Sequence, residues 1–233
     1  MPKRVFLFSG SSAVGKTSIL RYLIPLLENG GMKTAVCKID CLSSNDETVY
    51  KNLKIPTVTG LSHDICPDHF LISNLPELWD WCDNLGRDCL LIETAGLCHR
   101  CSPATELCTA GCVLDCPPSH SPERLGPMVS GADFIILTKI DMVSQAELEI
   151  IEWQLKKLNP DAQIFPADGL AGYGTEFLSS WLLERPAINS LKEDRLRHTM
   201  PAGVCSYCVG EQRVGSAYQQ GVVGKIFQGG FRR

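Results

Sequence analysis

The sequence predicts a doubly wound α/β domain on a mostly parallel sheet, followed by a small cysteine-containing C-terminal appendage. Short, unbroken apolar runs alternate with stretches of helical apolar spacing from the first residues to about residue 185. The runs do not alternate apolar with polar, which is how strands read when both faces are covered. The first run ends in a glycine loop that opens directly into a helix, the strand–loop–helix start of such folds.

Val5-Phe6-Leu7-Phe8 reads as the first strand. Residues 18–27 read as a helix, with Ile19, Leu20, Leu23, Leu26 and Leu27 at helical spacing. Residues 33–39 form a second strand, and 75–84 a helix closed by Gly86. Cys89-Leu90-Leu91-Ile92 and Phe134-Ile135-Ile136-Leu137 are continuous apolar strands. Residues 146–158 are amphipathic and stop at Asn159-Pro160. A strand at Gln163-Ile164-Phe165 and a helix over 176–183 complete the alternation. Trp79, Trp81, Trp153 and Trp181 lie in or beside predicted helices and are expected in the core, as are the Leu and Ile stripes of 144–158. His120 and His198 are expected in exposed loops.

The chain has 233 residues, about half as long again as a ~150-residue domain. With 44% hydrophobic and 21% charged residues it has the composition of a globular protein. A net charge of −4 argues against a nucleic-acid binder. No apolar run reaches the roughly 18 residues of a membrane helix. The apolar run behind Lys3 and Arg4 is shorter than the about 7–15 residues of a signal peptide. A cytoplasmic protein without a membrane span is therefore expected. Past Pro186 the pattern breaks into a charged stretch and a glycine-punctuated tail. The expected division is a nucleotide domain at 1–186, with a cysteine-rich insert at 98–116, and an appendage at 187–233.

The most specific motif is Gly10-Ser11-Ser12-Ala13-Val14-Gly15-Lys16-Thr17, the phosphate-binding pattern G-x-x-x-x-G-K-[ST]. Its backbone N–H groups, with those of Ser18 and the positive end of the following helix, suit a polyphosphate. Lys16 would reach the β- and γ-phosphates and Thr17 would ligate Mg²⁺. Thr138-Lys139-Ile140-Asp141 ends a strand some 120 residues later. An aspartate there can accept from N1 and the 2-amino group of guanine, which adenine lacks, so the pair of motifs favours GTP over ATP. Ala167-Asp168 after the next strand offers a further base contact.

Twelve cysteines are the outlier. In a reducing compartment they point to metal, cluster or redox chemistry and not to disulfides. Five lie between 98 and 116: Cys98, Cys101, Cys108, Cys112 and Cys116. Cys98-x₂-Cys101 has the spacing of zinc and iron–sulfur ligands, and Cys108-x₃-Cys112-x₃-Cys116 adds three thiols. Val113-Leu114 has strand character, which makes Cys112 and Cys116 either ligands or packing residues. Cys205-x₂-Cys208 could close the same site or belong to a second one. Four thiolates suit Zn²⁺ or an iron–sulfur cluster, and spacing does not separate the two.

These motifs together resemble the metallochaperone P-loop GTPases that include the urease and hydrogenase nickel-insertion factors and the CobW-type proteins. The resemblance covers about residues 4–184. Besides the two nucleotide motifs it rests on Glu93-Thr94-Ala95-Gly96, where that family has glutamate in place of the usual aspartate. Residues 38–47, with Asp40 and Asp46, are similar to the family's first switch, whose acidic residues approach Mg²⁺. Cys66-Pro67-Asp68-His69 is similar to its Cys-Pro-His metal motif with Asp68 inserted, so that His69 or His63 partners Cys66. The resemblance implies a SIMIBI-class NTPase fold, a nickel- or zinc-type thiolate–imidazole site shared across a homodimer, and Lys16, Thr17, Asp40, Asp46 and Glu93 as the catalytic set. The cluster at 98–116 is not part of that family's pattern.

The expected function is a GTPase that couples nucleotide state to delivery of a metal or metallocluster to a client metalloenzyme, or to other maturation factors. No arginine finger is evident. The rival expectation is an iron–sulfur activator or electron-transfer protein, or a redox or cluster sensor that uses GTP as a conformational ligand.

Overall fold

A computed structural model describes residues 1–43, 47–96, 101–118, 121–198, 210–219 and 223–227. Seven strands form one sheet among these residues: β1 (Arg4–Ser9), β2 (Thr34–Asp40), β3 (Thr57–Leu61), β4 (Cys89–Thr94), β5 (Thr109–Asp115), β6 (Phe134–Thr138) and β7 (Gln163–Pro166). Their order is β3-β2-β4-β1-β5-β6-β7, and every pairing is parallel. The helices are α1 (Lys16–Asn29), α2 (Glu47–Asn52), α3 (Pro67–Asn84), α4 (Pro127–Ser130), α5 (Gln145–Leu158) and α6 (Thr175–Leu183).

Both faces of the sheet are covered, which is why the apolar runs are continuous: every residue of β4 and β6 is buried. On one face Phe6, Phe8, Val113 and Phe134 pack against α1, Tyr50 of α2, and Leu178 and Leu182 of α6. On the other, Val5, Leu7 and Ile92 meet α3, while Cys112, Leu114, Ile135 and Leu137 meet α4 and α5. In α1, Ile19, Leu20, Leu23, Ile24 and Leu27 are buried, each contributing about 1.5–3 kcal/mol of apolar burial.

The helix expected from residue 75 begins at Pro67, a proline at the first helical position. Pro76 sits inside it without breaking it. The carbonyl that Pro76 cannot satisfy, Ile72 O, accepts instead from Gly215 N at 3.0 Å. Strand β5 is far longer than the Val113-Leu114 core expected, and β3 lies in a stretch first read for its chemistry. Trp153 departs from its expected burial: it is 59% exposed on α5, where only Ile151 and Leu155 are buried, with Lys157 over its ring.

The described tail residues join the same core as the domain. Leu191, Leu196 and Val214 are buried against the α3 side. Asn74 holds residues 223–227 by donating to Gly224 O and accepting from Ile226 N. No described helix is long and apolar enough to cross a membrane.

Candidate functional site

The site lies beyond the carboxyl ends of β1, β2 and β4, where doubly wound sheets bind ligands. Strand β1 ends at Ser9 and the chain turns at Gly10 with φ +145°. A Cβ there would come 2.3 Å from Val113 O, so only glycine allows the loop to cross β5 this closely. Gly96 faces Gly10 from the other side, and a Cβ at Gly96 would lie 2.2 Å from Gly10 O. The Glu93–Gly96 turn and the phosphate loop are thus in backbone contact.

Lys16 Nζ donates to Gly10 O and Ser11 O at 2.8 Å each, curled into its own loop. Burial lowers its pKa, and nearby Lys38 adds to this against the opposing charges of Glu93 and Asp40. Thr17 Oγ1 donates to Glu93 Oε1 at 2.7 Å. Asp40 closes this end of an open cleft of about 580 Å³, whose walls include Ser12, Ala13, Thr17, Glu93 and Thr94. A hydroxyl and two carboxylates are hard oxygen donors, the set that suits Mg²⁺.

Two residues of this site were not singled out from the sequence for their own roles. Lys38 is the register partner of Glu93 across β2 and β4, and its ammonium lies 2.9 Å from Glu93 Oε1. Tyr50 of α2 donates to Glu93 Oε2 at 2.5 Å. Lys38 did leave a signal: it is a charged residue between Cys37 and Ile39 in a buried strand, a place a charge takes only with a partner.

On the β6 side of the phosphate loop, the Thr138 hydroxyl is shared between Val14 O at 2.5 Å and Leu114 O at 3.1 Å, tying β6 to that loop. Lys139 takes a left-handed conformation with φ +54° and pairs with Asp115 at 3.1 Å. This turn presents Asp141 exposed in the short helix Ile140–Met142. Ala167 is buried and hydrogen-bonds Leu137 O. Asp168 accepts from Leu170 N and Ala171 N, shaping the loop that passes Ser18 at the start of α1.

Cys66 is the N-cap of α3, half-buried, with Asp68 and His69 buried in the first turn and His63 exposed on the preceding loop. The thiol and the His69 imidazole are therefore one helical turn apart. Burial pushes the Asp68 carboxyl up to about 7, against a lowering hydrogen bond from Thr94. That bond runs from Thr94 Oγ1 to Asp68 Oδ1 at 3.5 Å. A second connection is backbone: Ser62 N donates to Asp40 O and His63 N to Cys41 O, both at 2.8 Å.

The cysteine-rich insert is corrected in part. Cys108, Cys112 and Cys116 do not converge. Cys112 lies within β5 and the other two flank it, so successive thiols are spaced about 13 Å apart along one face. All three are buried, and Cys112 and Cys116 pack in the α4–α5 core. Desolvation pushes the Cys112 thiol up to about 12 and the Cys116 thiol up to about 11, so both stay protonated at neutral pH. Cys101 is buried at the head of the segment leading to β5. Cys98, Cys205, Cys208, Asp46 and His120 lie outside the described residues. Among the described residues no three His, Cys, Asp or Glu side chains group to hold a metal.

Residues 4–166 match the family described as the CobW/HypB/UreG nucleotide-binding domain. The chain belongs to this family. A protein of Methanocaldococcus jannaschii is 42% identical over 224 residues, 96% of each chain. Urease accessory protein UreG 2 of Streptomyces griseus is 27% identical over 193 residues, covering 76% of this chain and 84% of the relative. The fold is shared with the hydrogenase maturation factor HypB of Archaeoglobus fulgidus, at a TM-score of 0.61 and 21% identity over 77% of this chain and 88% of that one. It is shared equally with HypB of Helicobacter pylori, solved in complex with nickel, at 0.61 and 21% over 78% and 86%.

Proposed function

We propose that this chain is a GTP-hydrolysing metallochaperone that couples its nucleotide state to delivery of a thiolate-bound metal to a client metalloenzyme or another maturation factor. The observation that carries this reading is the bond from Thr94, next to Glu93, to Asp68, between Cys66 and His69. A change at Glu93 reaches the Cys-Pro-Asp-His turn through one side chain.

In this reading Lys16 leaves the carbonyls of Gly10 and Ser11 for the β- and γ-phosphates. Mg²⁺, held by Thr17, Asp40 and Glu93 with Asp46 as the alternative carboxylate, would spread the charge of a loose phosphoryl-transfer transition state. Glu93 or Asp40 orients the attacking water. Asp141 reads guanine, and GDP is the product. The cation cargo is taken by Cys66 with His69, whose buried position favours it over His63. One thiolate and one imidazole leave a four-coordinate ion incomplete, so the second half comes from a second copy of the chain in a cytoplasmic homodimer. Nickel, the metal bound to the Helicobacter relative, suits this soft donor pair.

A structural zinc or an iron–sulfur cluster is assigned to Cys98, Cys101, Cys205 and Cys208. Supporting this, the chain that leads to the second pair is bonded to the segment that follows the first: Arg197 N donates to Ala104 O and Glu106 N to Arg195 O. Absorption of anaerobically purified protein near 400 nm would decide for the cluster and the sensor reading.

Titrating Ni²⁺ with and without a non-hydrolysable GTP analogue tests the coupling. The expected shift in affinity is roughly 5–150-fold, mirrored in GTP affinity by linkage. Equal affinities in the two titrations would leave the nucleotide and metal sites unconnected.

A further inference from the structure

The hydrolysis reading leaves a buried cation of the cleft, Lys38, without a role. Lys38 is 5% exposed, and its ammonium reaches three oxygen groups: Glu93 Oε1 at 2.9 Å, Thr17 Oγ1 at 3.4 Å and Asp40 Oδ2 at 3.8 Å. These are the three side chains assigned to Mg²⁺. The arrangement follows from register, since Lys38 and Glu93 are paired across neighbouring strands and Asp40 lies two residues on along β2. Glu93 is 1% exposed, and a buried carboxylate requires a counter-charge. Lys38 supplies it without any metal.

We propose that Lys38 is a displaceable internal cation, which fills the Mg²⁺ position between Thr17, Asp40 and Glu93 in the nucleotide-free protein and moves onto the phosphates when Mg²⁺ and GTP enter. The inference rests on the Mg²⁺–GTP reading given above. Two cations at contact with Thr17 Oγ1 and Glu93 Oε1 repel strongly in a water-poor site. The cation on a flexible four-carbon stem is the one able to leave. Lys38 lines the same cleft as Ser12, Ala13 and Lys16, so the incoming phosphates are its nearest new anionic partner. There it meets the charge that develops on the phosphoryl oxygens, the part an arginine finger plays elsewhere. Tyr50 and Thr17 keep Glu93 hydrogen-bonded throughout the exchange. Mg²⁺ alone should therefore bind the empty protein poorly, and Mg²⁺ and nucleotide should enter together.

The test uses Lys38→Met, of similar length without charge, and Lys38→Arg. Thermal unfolding of the nucleotide-free full chain is followed against Mg²⁺. Wild type should be nearly indifferent to Mg²⁺. Lys38→Met should unfold at lower temperature without Mg²⁺ and recover as Mg²⁺ is added, over concentrations that leave wild type unchanged. At saturating Mg²⁺ and GTP its kcat should fall about 10²-fold or more, with KM changed only a few-fold. Lys38→Arg grips Glu93 more firmly, so binding of a fluorescent GTP analogue should need more Mg²⁺ than in wild type. That arm decides the matter if Lys38→Met does not fold in any buffer. Equal Mg²⁺ responses of wild type and Lys38→Met, undiminished turnover in Lys38→Met, or an unchanged Mg²⁺ requirement in Lys38→Arg would each overturn the proposal. Failure of the underlying reading looks different: wild type would bind no GTP analogue at any Mg²⁺ concentration.

Discussion

The Tyr50 hydroxyl donates to Glu93 Oε2 at 2.5 Å, and both residues are closed off from solvent. One hydrogen bond thus ties α2, which follows Asp46 in the sequence, to the end of β4. Tyr50→Phe leaves a buried carboxylate oxygen short of a donor. The expected cost is about 1–3 kcal/mol of stability, read as a lower urea midpoint at unchanged m-value. Turnover should drop as well, because Glu93 loses one of the contacts that orient it. An unaltered midpoint together with unaltered turnover would separate Tyr50 from the site.

Asp141 stands exposed just past β6, after the left-handed turn at Lys139. Asp141→Asn exchanges one acceptor for a donor and should move preference from guanosine to xanthosine nucleotides. Loss of the charge-assisted pair should weaken GTP by about 1.5–3 kcal/mol, roughly 10- to 150-fold. Competition of GTP, XTP and ATP for a fluorescent analogue reads this directly. Wild-type protein that binds ATP as tightly as GTP would refute the base assignment.

Cys112 and Cys116 are core residues by position and by chemistry, since their thiols remain protonated at neutral pH. Cys112→Ala and Cys116→Ala should lower stability by about 1–2 kcal/mol through lost packing. The metal content of the purified protein, measured by mass spectrometry, should not change. Cys98→Ser and Cys205→Ser should each lower it. Loss of bound metal in Cys112→Ala would restore the thiol to the ligand set.

Arg197 is the clasp between the tail and the sheet. Its guanidinium donates to Thr105 O, Cys108 O, Gly131 O and both carboxylate oxygens of Asp133. Lysine cannot reproduce this planar fork. Arg197→Lys should therefore cost nearly as much as Arg197→Met, about 1–3 kcal/mol. Limited proteolysis should cut the tail of both variants faster than that of wild type. Full rescue by lysine would mean that charge alone holds the tail.

The phosphate loop and the strand–helix alternation were legible in the sequence because each is local. Gly10 to Thr17 is a contiguous turn, and a strand buried on both faces announces itself as an unbroken apolar run. The same local reading kept Cys108, Cys112 and Cys116 among the candidate ligands. A spacing of four brings side chains together on a helix but separates them by about 13 Å on a strand. Distance therefore follows from spacing only once the secondary structure is known, and reading 108–116 for its chemistry hid β5. The network of Thr17, Lys38, Tyr50 and Glu93 was out of reach for a deeper reason. These residues come from four separate elements, α1, β2, α2 and β4, and only the parallel register that pairs Lys38 with Glu93 brings an ammonium and a carboxylate together away from water. Register between strands far apart in the chain is set by how the whole sheet packs, so what surrounds Glu93 was decided by the tertiary structure alone.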